Sequence, residues 1–245
     1  MLLFKYFHKS TDYLKLMRKT TLELLIISSL GSLIFFQSCK DDKKEVIPPV
    51  PDQSFVEEFD NLTTAANKGW KFVNQSEPIG STSWRLNNSF YFPPFSGTNN
   101  IVADFNAVND NGTISVWAIS PSVILQNGDK IVFYTRSANS NSDPANVYPD
   151  RLQLRFSMKD TVDVGAGADD VGVFTNGLID INSNLEVANP IAYPDTWTRF
   201  EGTIYGLNGP TKGRFAFRYY VQDGGASGAN GLAVGIDKVS YVGKP

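Results

Sequence analysis

Arg151-Leu-Gln-Leu-Arg-Phe-Ser-Met158 is the stretch whose reading decides the fold class. Leu152, Leu154, Phe156 and Met158 alternate with Gln153, Arg155 and Ser157. A repeat of two places all the apolar side chains on one face of a strand. Phe215-Ala-Phe-Arg-Tyr219 repeats the pattern further along. Working outward, further candidate strands are Ser54–Phe59, Trp70–Asn74, Ser83–Leu86, Asn100–Phe105, Thr113–Ile119, Lys130–Arg136, Thr196–Tyr205 and Leu232–Val242. Trp117 and Ile119 read as core-facing, and Pro121 ends their strand because it has no N–H for a ladder. Leu232, Val234 and Ile236 likewise read as one core face. Between the runs stand turn-formers: Asn111-Gly112, Asn127-Gly128, Asn208-Gly209-Pro210 and the run Asp223–Asn230. No helical period is visible after Ser54. Many short strands joined by Gly/Asn/Asp turns predict an all-β chain, a jelly-roll β-sandwich of two antiparallel sheets. Residues 54–245 suit one such domain.

The part before the strands reads differently. Leu24–Phe36 is an uncharged run of 13 residues, too short to cross a hydrocarbon core that needs roughly 20. Arg18 and Lys19 precede it and Gln37-Ser38-Cys39 follows, the plan of a secretory signal peptide over residues 1–38. Met17 is an alternative start that leaves the signal whole. Phe36-Gln-Ser-Cys39 resembles a lipobox, except that Gln37 stands where a small residue is commoner, so Cys39 is the expected lipidation site. Acyl chains there would tether the chain to a membrane. Residues 39–53 then form the lipidated cysteine and a linker, with Pro48, Pro49 and Pro51 favouring an extended stalk. Lys40-Asp-Asp-Lys-Lys44 resembles the charged signal that sends lipoproteins to the outer face of the outer membrane. The predicted location is therefore the outer membrane, facing the cell exterior.

Charge and residue types narrow the chemistry. Of 22 basic and 25 acidic residues, 5 and 2 precede Cys39, leaving a net charge near −6 beyond it. Such a chain, without a basic cluster, is a poor partner for nucleic acid, where phosphate neutralisation supplies most of the affinity. The lone histidine, His8, lies before Cys39, and Cys39 is the lone cysteine. Ser-His-Asp and Cys-His catalysis and His/Cys zinc sites are thereby excluded downstream. Carboxylate chemistry survives that test, but no convincing acid pair is visible. Glu57 and Glu58 are adjacent, so on a strand they face opposite sides.

A series of motifs occurs in order: Gly69-Trp70, Trp117-Ala-Ile-Ser-Pro121, Lys130-Ile-Val-Phe-Tyr134, Asp150-Arg-Leu-Gln-Leu-Arg-Phe-Ser157, Thr196-Trp-Thr198, Phe215-Ala-Phe-Arg-Tyr219 and Gly235-Ile-Asp-Lys-Val239. Over Phe55 to Val242 the chain resembles the cleaved-adhesin, or choice-of-anchor J, family of jelly-roll domains. The resemblance implies a non-catalytic binding or adhesion domain, with structural calcium in many members. In similar jelly rolls an ion ties an acid of the first strand to one near the last. Glu58, Asp60 and Asp237 are the matching positions, and Ca2+ the implied cofactor. Asp163, Asp169 and Asp170, among the glycines of 160–170, are a weaker candidate for a second ion, a solvated loop being the plainer account.

Aromatic residues outside the strand pattern are the ligand candidates. Tyr91-Phe-Pro-Pro-Phe95 sets three rings beside two prolines, with Trp84, Arg85, Asn87 and Asn88 just upstream. Tyr148 and Tyr193 stand in other Pro-flanked loops. Rings pack on the C–H faces of sugars and also anchor protein partners; Phe92 and Phe95 alternatively cap the end of the sandwich. The expected function is a surface-anchored, non-catalytic binding protein for a polysaccharide or host glycoprotein. The rivals are an accessory subunit of an outer-membrane transport or secretion complex, and a carboxylate-dependent glycan hydrolase.

Overall fold

In the structure, a computed structural model that describes residues 49–139, 147–188 and 190–244, thirteen strands build two antiparallel sheets. The signal run, Cys39 and residues 40–48 lie outside the described residues. The strands are β1 (Phe55–Glu57), β2 (Lys71–Asn74), β3 (Glu77–Ile79), β4 (Arg85–Leu86), β5 (Ile101–Asp104), β6 (Val108–Ile119) and β7 (Val123–Leu125). They continue with β8 (Lys130–Ser137), β9 (Leu152–Ser157), β10 (Asn176–Ile181), β11 (Thr198–Thr203), β12 (Thr211–Gly224) and β13 (Ala233–Val242). One sheet runs β11-β8-β13-β5-β4, with β1 also on β13; the other runs β10-β9-β12-β6-β2, with β3 on β6 and β7 on β12. The fold is the jelly-roll β-sandwich that the alternation predicts.

The alternating residues face one another between the sheets. Leu152, Leu154, Phe156, Phe215, Phe217 and Tyr219 pack against Ile131, Phe133, Val234, Ile236, Val239 and Tyr241. Phe133 meets Phe217 edge-on at 4.8 Å, and Trp70 meets Phe59 at 4.9 Å. Each such ring contributes about 1.5–3 kcal/mol by burial, and edge-to-face contact adds to it.

Several expectations need correction. Trp117 and Ile119 do not face the core. Val116 and Ala118 do, while Trp117 and Ile119 lie on the outer face in a second cluster with Val164 and Phe174. The 160–174 segment roofs that face and makes an outward tryptophan a buried one. Arg218 is buried under the same roof, its guanidinium 5.0 Å from the Trp117 ring and bonded to the Ala168 carbonyl. Met158 is outside β9 and exposed, since pairing with β12 stops at Ser157. Asn111-Gly112 is no turn: β6 runs through it, held by Thr113 opposite Glu77 and Gly112 opposite Gly224. A short helix, α1 (Leu62–Asn67), forms where none is expected, because Asn61 caps it by accepting from the Thr64 N–H at 3.0 Å. Among the described residues no helix is long and apolar enough to cross a membrane.

Candidate functional site

The candidate rings and the candidate ion ligands meet on one element, the 87–100 connection between β4 and β5. Its first half is tied to itself. The Asn87 amide donates to the Phe92 carbonyl at 2.6 Å, and the Asn87 Oδ1 accepts from the Tyr91 N–H at 3.0 Å. Asn99 Oδ1 accepts from the Asn88 N–H, and Asn99 Nδ2 donates back to Asn88 Oδ1 at 2.8 Å. Between these ties Asn88 and Ser89 adopt φ of 49° and 57°, the left-handed region that side chains other than glycine seldom take. Such backbone persists where its surroundings enforce it, often at binding sites.

The consequence is Phe90. Its ring is 76% exposed and stands edge-on to Tyr91 at 4.8 Å. With Arg85, Leu86, Asn87 and Asn88 it lines an open cleft of about 420 Å³. The Arg85 guanidinium is held by buried Asp104, which also accepts from the Tyr91 hydroxyl at 3.1 Å. Burial and that neighbouring carboxylate push the Tyr91 phenol up to about 12, so it stays a donor at any physiological pH. The cleft combines an exposed ring, the exposed Asn88 amide and a guanidinium, the groups that serve a sugar's C–H face and its hydroxyls.

The second half of the connection is clamped to the sheet. Phe92 packs over β13 at Gly235, where a Cβ would lie 2.5 Å from its ring. Only glycine admits that approach. The Trp197 indole donates to the Pro93 carbonyl at 3.0 Å, and the Arg136 guanidinium lies 4.9 Å from the Phe92 centroid. Phe95 stacks on Tyr134 at 3.7 Å and remains 39% exposed. Asp237 accepts from the Phe95 and Ser96 N–H groups at 2.8 and 3.1 Å. Asp60 accepts from the Thr98 and Asn99 N–H groups at 2.5 and 2.9 Å. The Thr98 N–H bond leads in holding the Asp60 carboxyl below its usual range; burial pushes Asp237 up to about 6, with Glu58 adding to the rise.

Asp237 and Glu58 share a gap. β13 pairs with β5 through Ile236 opposite Ile101, and with β1 through Val239 opposite Glu57. Residues 237 and 238 therefore face the space where β5 and β1 meet end to end, flanked by Asn100 and Glu58. Glu58 Oε2 and both polar atoms of the Asn100 amide are buried there without a hydrogen-bond partner. The two orphaned oxygens, Glu58 Oε2 and Asn100 Oδ1, beside the Asp237 carboxylate are donors of the kind a hard cation takes. Among the described residues no three acidic, histidine or cysteine side chains converge as a metal cluster, so the carboxylates alone do not complete a coordination shell.

The other sequence candidates fall elsewhere. Trp84 is a core residue whose indole donates to the Val116 carbonyl at 3.1 Å. Tyr193 is buried, its hydroxyl 2.6 Å from Thr135 Oγ1. Tyr148 is exposed, in a loop beside Phe105 and Leu232. In the 160–174 segment Asp170 accepts from the Ala166, Val171 and Gly172 N–H groups and Asp169 from the Tyr220 hydroxyl; these acids brace the loop. Residues that sequence reasoning passed over are Phe90, Tyr134, Asn100 and Trp197. The turn-forming Asn87-Asn88-Ser89 just before Phe90 was the available signal for the first.

No model of a known protein family matches the chain, and no curated protein matches it. Solved structures do. The K1 cleaved adhesin domain of Lys-gingipain from Porphyromonas gingivalis W83 is 17% identical, with 78% of this chain and 99% of that one covered and a TM-score of 0.52. The K3 cleaved adhesin domain of the same protein is 15% identical over the same shares, at a TM-score of 0.47. A carbohydrate-binding module of the β-sandwich superfamily is 10% identical, with 76% of this chain and 62% of that one covered and a TM-score of 0.43. The similarity to the K1 domain establishes a shared jelly-roll fold.

Proposed function

We propose that the domain is a non-catalytic carbohydrate-binding module that attaches its bearer to a polysaccharide or to the glycan of a host glycoprotein, through the cleft beside Phe90. The observation that carries this is the left-handed Asn88-Ser89 pair, which holds an apolar ring out in solvent next to Arg85, Asn87 and Asn88. A ring exposed to that degree gains little from folding beyond its edge contact with Tyr91; stacking on a sugar would cover its open face. Asn88 and Arg85 would take hydroxyls, buried Asn87 would hold the turn that presents them, Tyr91 would support the ring edge-on, and Phe95 would extend the apolar surface. The test is retention of the full-length protein on immobilised neutral polysaccharides and glycoproteins. Phe90→Ala should weaken retention roughly fivefold or more, as expected for one lost ring contact, at unchanged melting temperature. Retention that ignores this substitution would refute the site.

Two further parts belong to the proposal. Acylation of Cys39 would anchor the domain at the outer membrane, facing the exterior; the sequence around Cys39 supports this, and protease treatment of intact cells tests the sidedness. A calcium ion in the gap at Asp237 would take Glu58, Asp237 and the Asn100 amide oxygen, with Asp60 steadying the adjoining loop. Binding there would fix the 87–100 connection to β13 from below.

A further inference from the structure

A different part of the molecule carries a second site. Phe105, Tyr148, Gly225, Gly231 and Leu232 line one cleft of about 220 Å³, and Ile79, Ser81, Asn106, Asn109 and Asp110 line another of about 370 Å³. Ala226, itself exposed, lines both, so the two clefts adjoin at it and together offer a groove with a saddle there. We propose that this groove binds an uncharged glycan chain, at a site separate in residues from the Phe90 cleft.

The walls state the ligand's chemistry. Tyr148 is 47% exposed at one end and Ile79 66% exposed at the other. Ser81, Asn106 and Asn109 supply hydroxyl and amide groups between them. No lysine or arginine lines either cleft, and Asp110 is the lone charge. An acidic polymer would meet a carboxylate and no cation; a neutral chain of sugar rings meets apolar surface with polar groups at its edges.

The groove is also built rigid before any ligand arrives, which lowers the entropy cost of binding. Buried Asp150 is its keystone. It accepts from the Leu232 N–H at 2.9 Å and the Tyr219 hydroxyl at 2.7 Å, and its other oxygen accepts from the Asn139 amide at 2.8 Å. Asn139 in turn holds Tyr148 at both its N–H and its carbonyl. The Phe105 N–H donates to the Leu232 carbonyl and the Gly231 N–H to the Pro149 carbonyl. At the saddle between the two clefts Ser227 donates to the Asp110 carboxylate, and Gly225, at φ +104°, lies so close that a Cβ would sit 2.0 Å from the Asp110 carbonyl.

Its place in the fold favours a chain-like ligand. The chain comes into the domain at Ser54, whose hydroxyl accepts from the Gly243 N–H just past β13. The groove lies past the other end of β13, at Leu232. Ten residues of strand separate the two ends, roughly 30 Å at about 3.3 Å per residue. The groove is thus at the end of the sandwich opposite Ser54.

The test is affinity electrophoresis of the full-length protein in gels holding mixed-linkage β-1,3-1,4-glucan, xyloglucan or α-mannan, with polygalacturonate as the charged control. Ala226→Trp fills the saddle from an exposed position, and Tyr148→Ala removes the end ring; melting curves verify that both fold. Each should weaken retention by a neutral polymer roughly fivefold, and Ala226→Trp with Phe90→Ala should abolish it. Wild-type retention by both groove variants, with loss in Phe90→Ala alone, overturns the groove and leaves the Phe90 reading standing. Loss in the groove variants alone overturns the Phe90 reading instead. Preference for polygalacturonate, or no retention by any neutral polymer, overturns the groove proposal.

Discussion

Replacing Asp150 with asparagine should flatten the acid side of the stability profile. Asp150 is fully buried, and burial pushes its carboxyl up to about 6 although Ser137, Tyr219 and the Leu232 N–H all donate to it. A carboxyl raised in the folded state binds its proton more tightly there than in the unfolded chain. Its stabilisation is therefore complete below the unfolded value of 3.8 and is lost as pH rises through about 6. A rise of about two units corresponds to about 3 kcal/mol between the extremes, at 1.36 kcal/mol per unit. About 1 kcal/mol of that should return when pH falls from about 7 to about 5, worth about 2–4 °C in melting temperature for a domain of this size. Asparagine keeps one acceptor and has no proton to gain. Its amide, however, faces donors, and one buried donor left unpaired costs about 1–3 kcal/mol. The variant should thus melt lower at neutral pH and gain less than wild type on acidification. Differential scanning calorimetry of both proteins at several pH values measures it. Equal gains in the two proteins would refute the assignment of the pH dependence to Asp150.

Gly235→Val should drive its side chain into the Phe92 and Trp197 rings, which stand 2.5 and 3.1 Å from a Cβ at that position. Overpacking of this kind costs about 1–3 kcal/mol, and the displaced 92–96 segment should take carbohydrate retention down with it; retention unchanged beside a lowered melting temperature would show that the loop is not seated by β13. Calcium at about a hundred times its dissociation constant should stabilise by about 2.7 kcal/mol, an upward melting shift that a chelator reverses and that Glu58→Gln or Asn100→Leu removes. No shift with wild type would dismiss the ion.

How far the sequence speaks depends on the range of the contact involved. Strands with a clean two-residue alternation, such as β9 and β12, are visible in their own residues. β3 and β7 are three residues long, and β10 holds a glycine and a register shift, so none has a pattern to read. Trp117-Ala-Ile119 contains no polar residue to mark its outer side; only the distant 160–174 roof decides which face is which. The ring-rich 91–95 stretch lies on the same loop as the proposed cleft. Which of its rings remain free did not follow, because Phe92 is buried by Gly235, some 140 positions away, while Phe90 is thrust out by its immediate neighbours. Likewise Asp60 and Asp237 come together on one loop through strand pairing that no local spacing encodes.

The two roofs, residues 91–96 on one sheet and 160–174 on the other, have an evolutionary corollary. Many sandwiches offer a broad sheet surface to their partners, where each contact residue is also part of the ladder and changes at some risk to folding. Here much of that ground is covered from outside, and the binding proposed above falls to connections such as 87–99 and 223–231. Those segments can lengthen, shorten or swap side chains while the layers beneath stay as they are, so relatives of this domain are expected to keep one frame and diverge widely in what they grip.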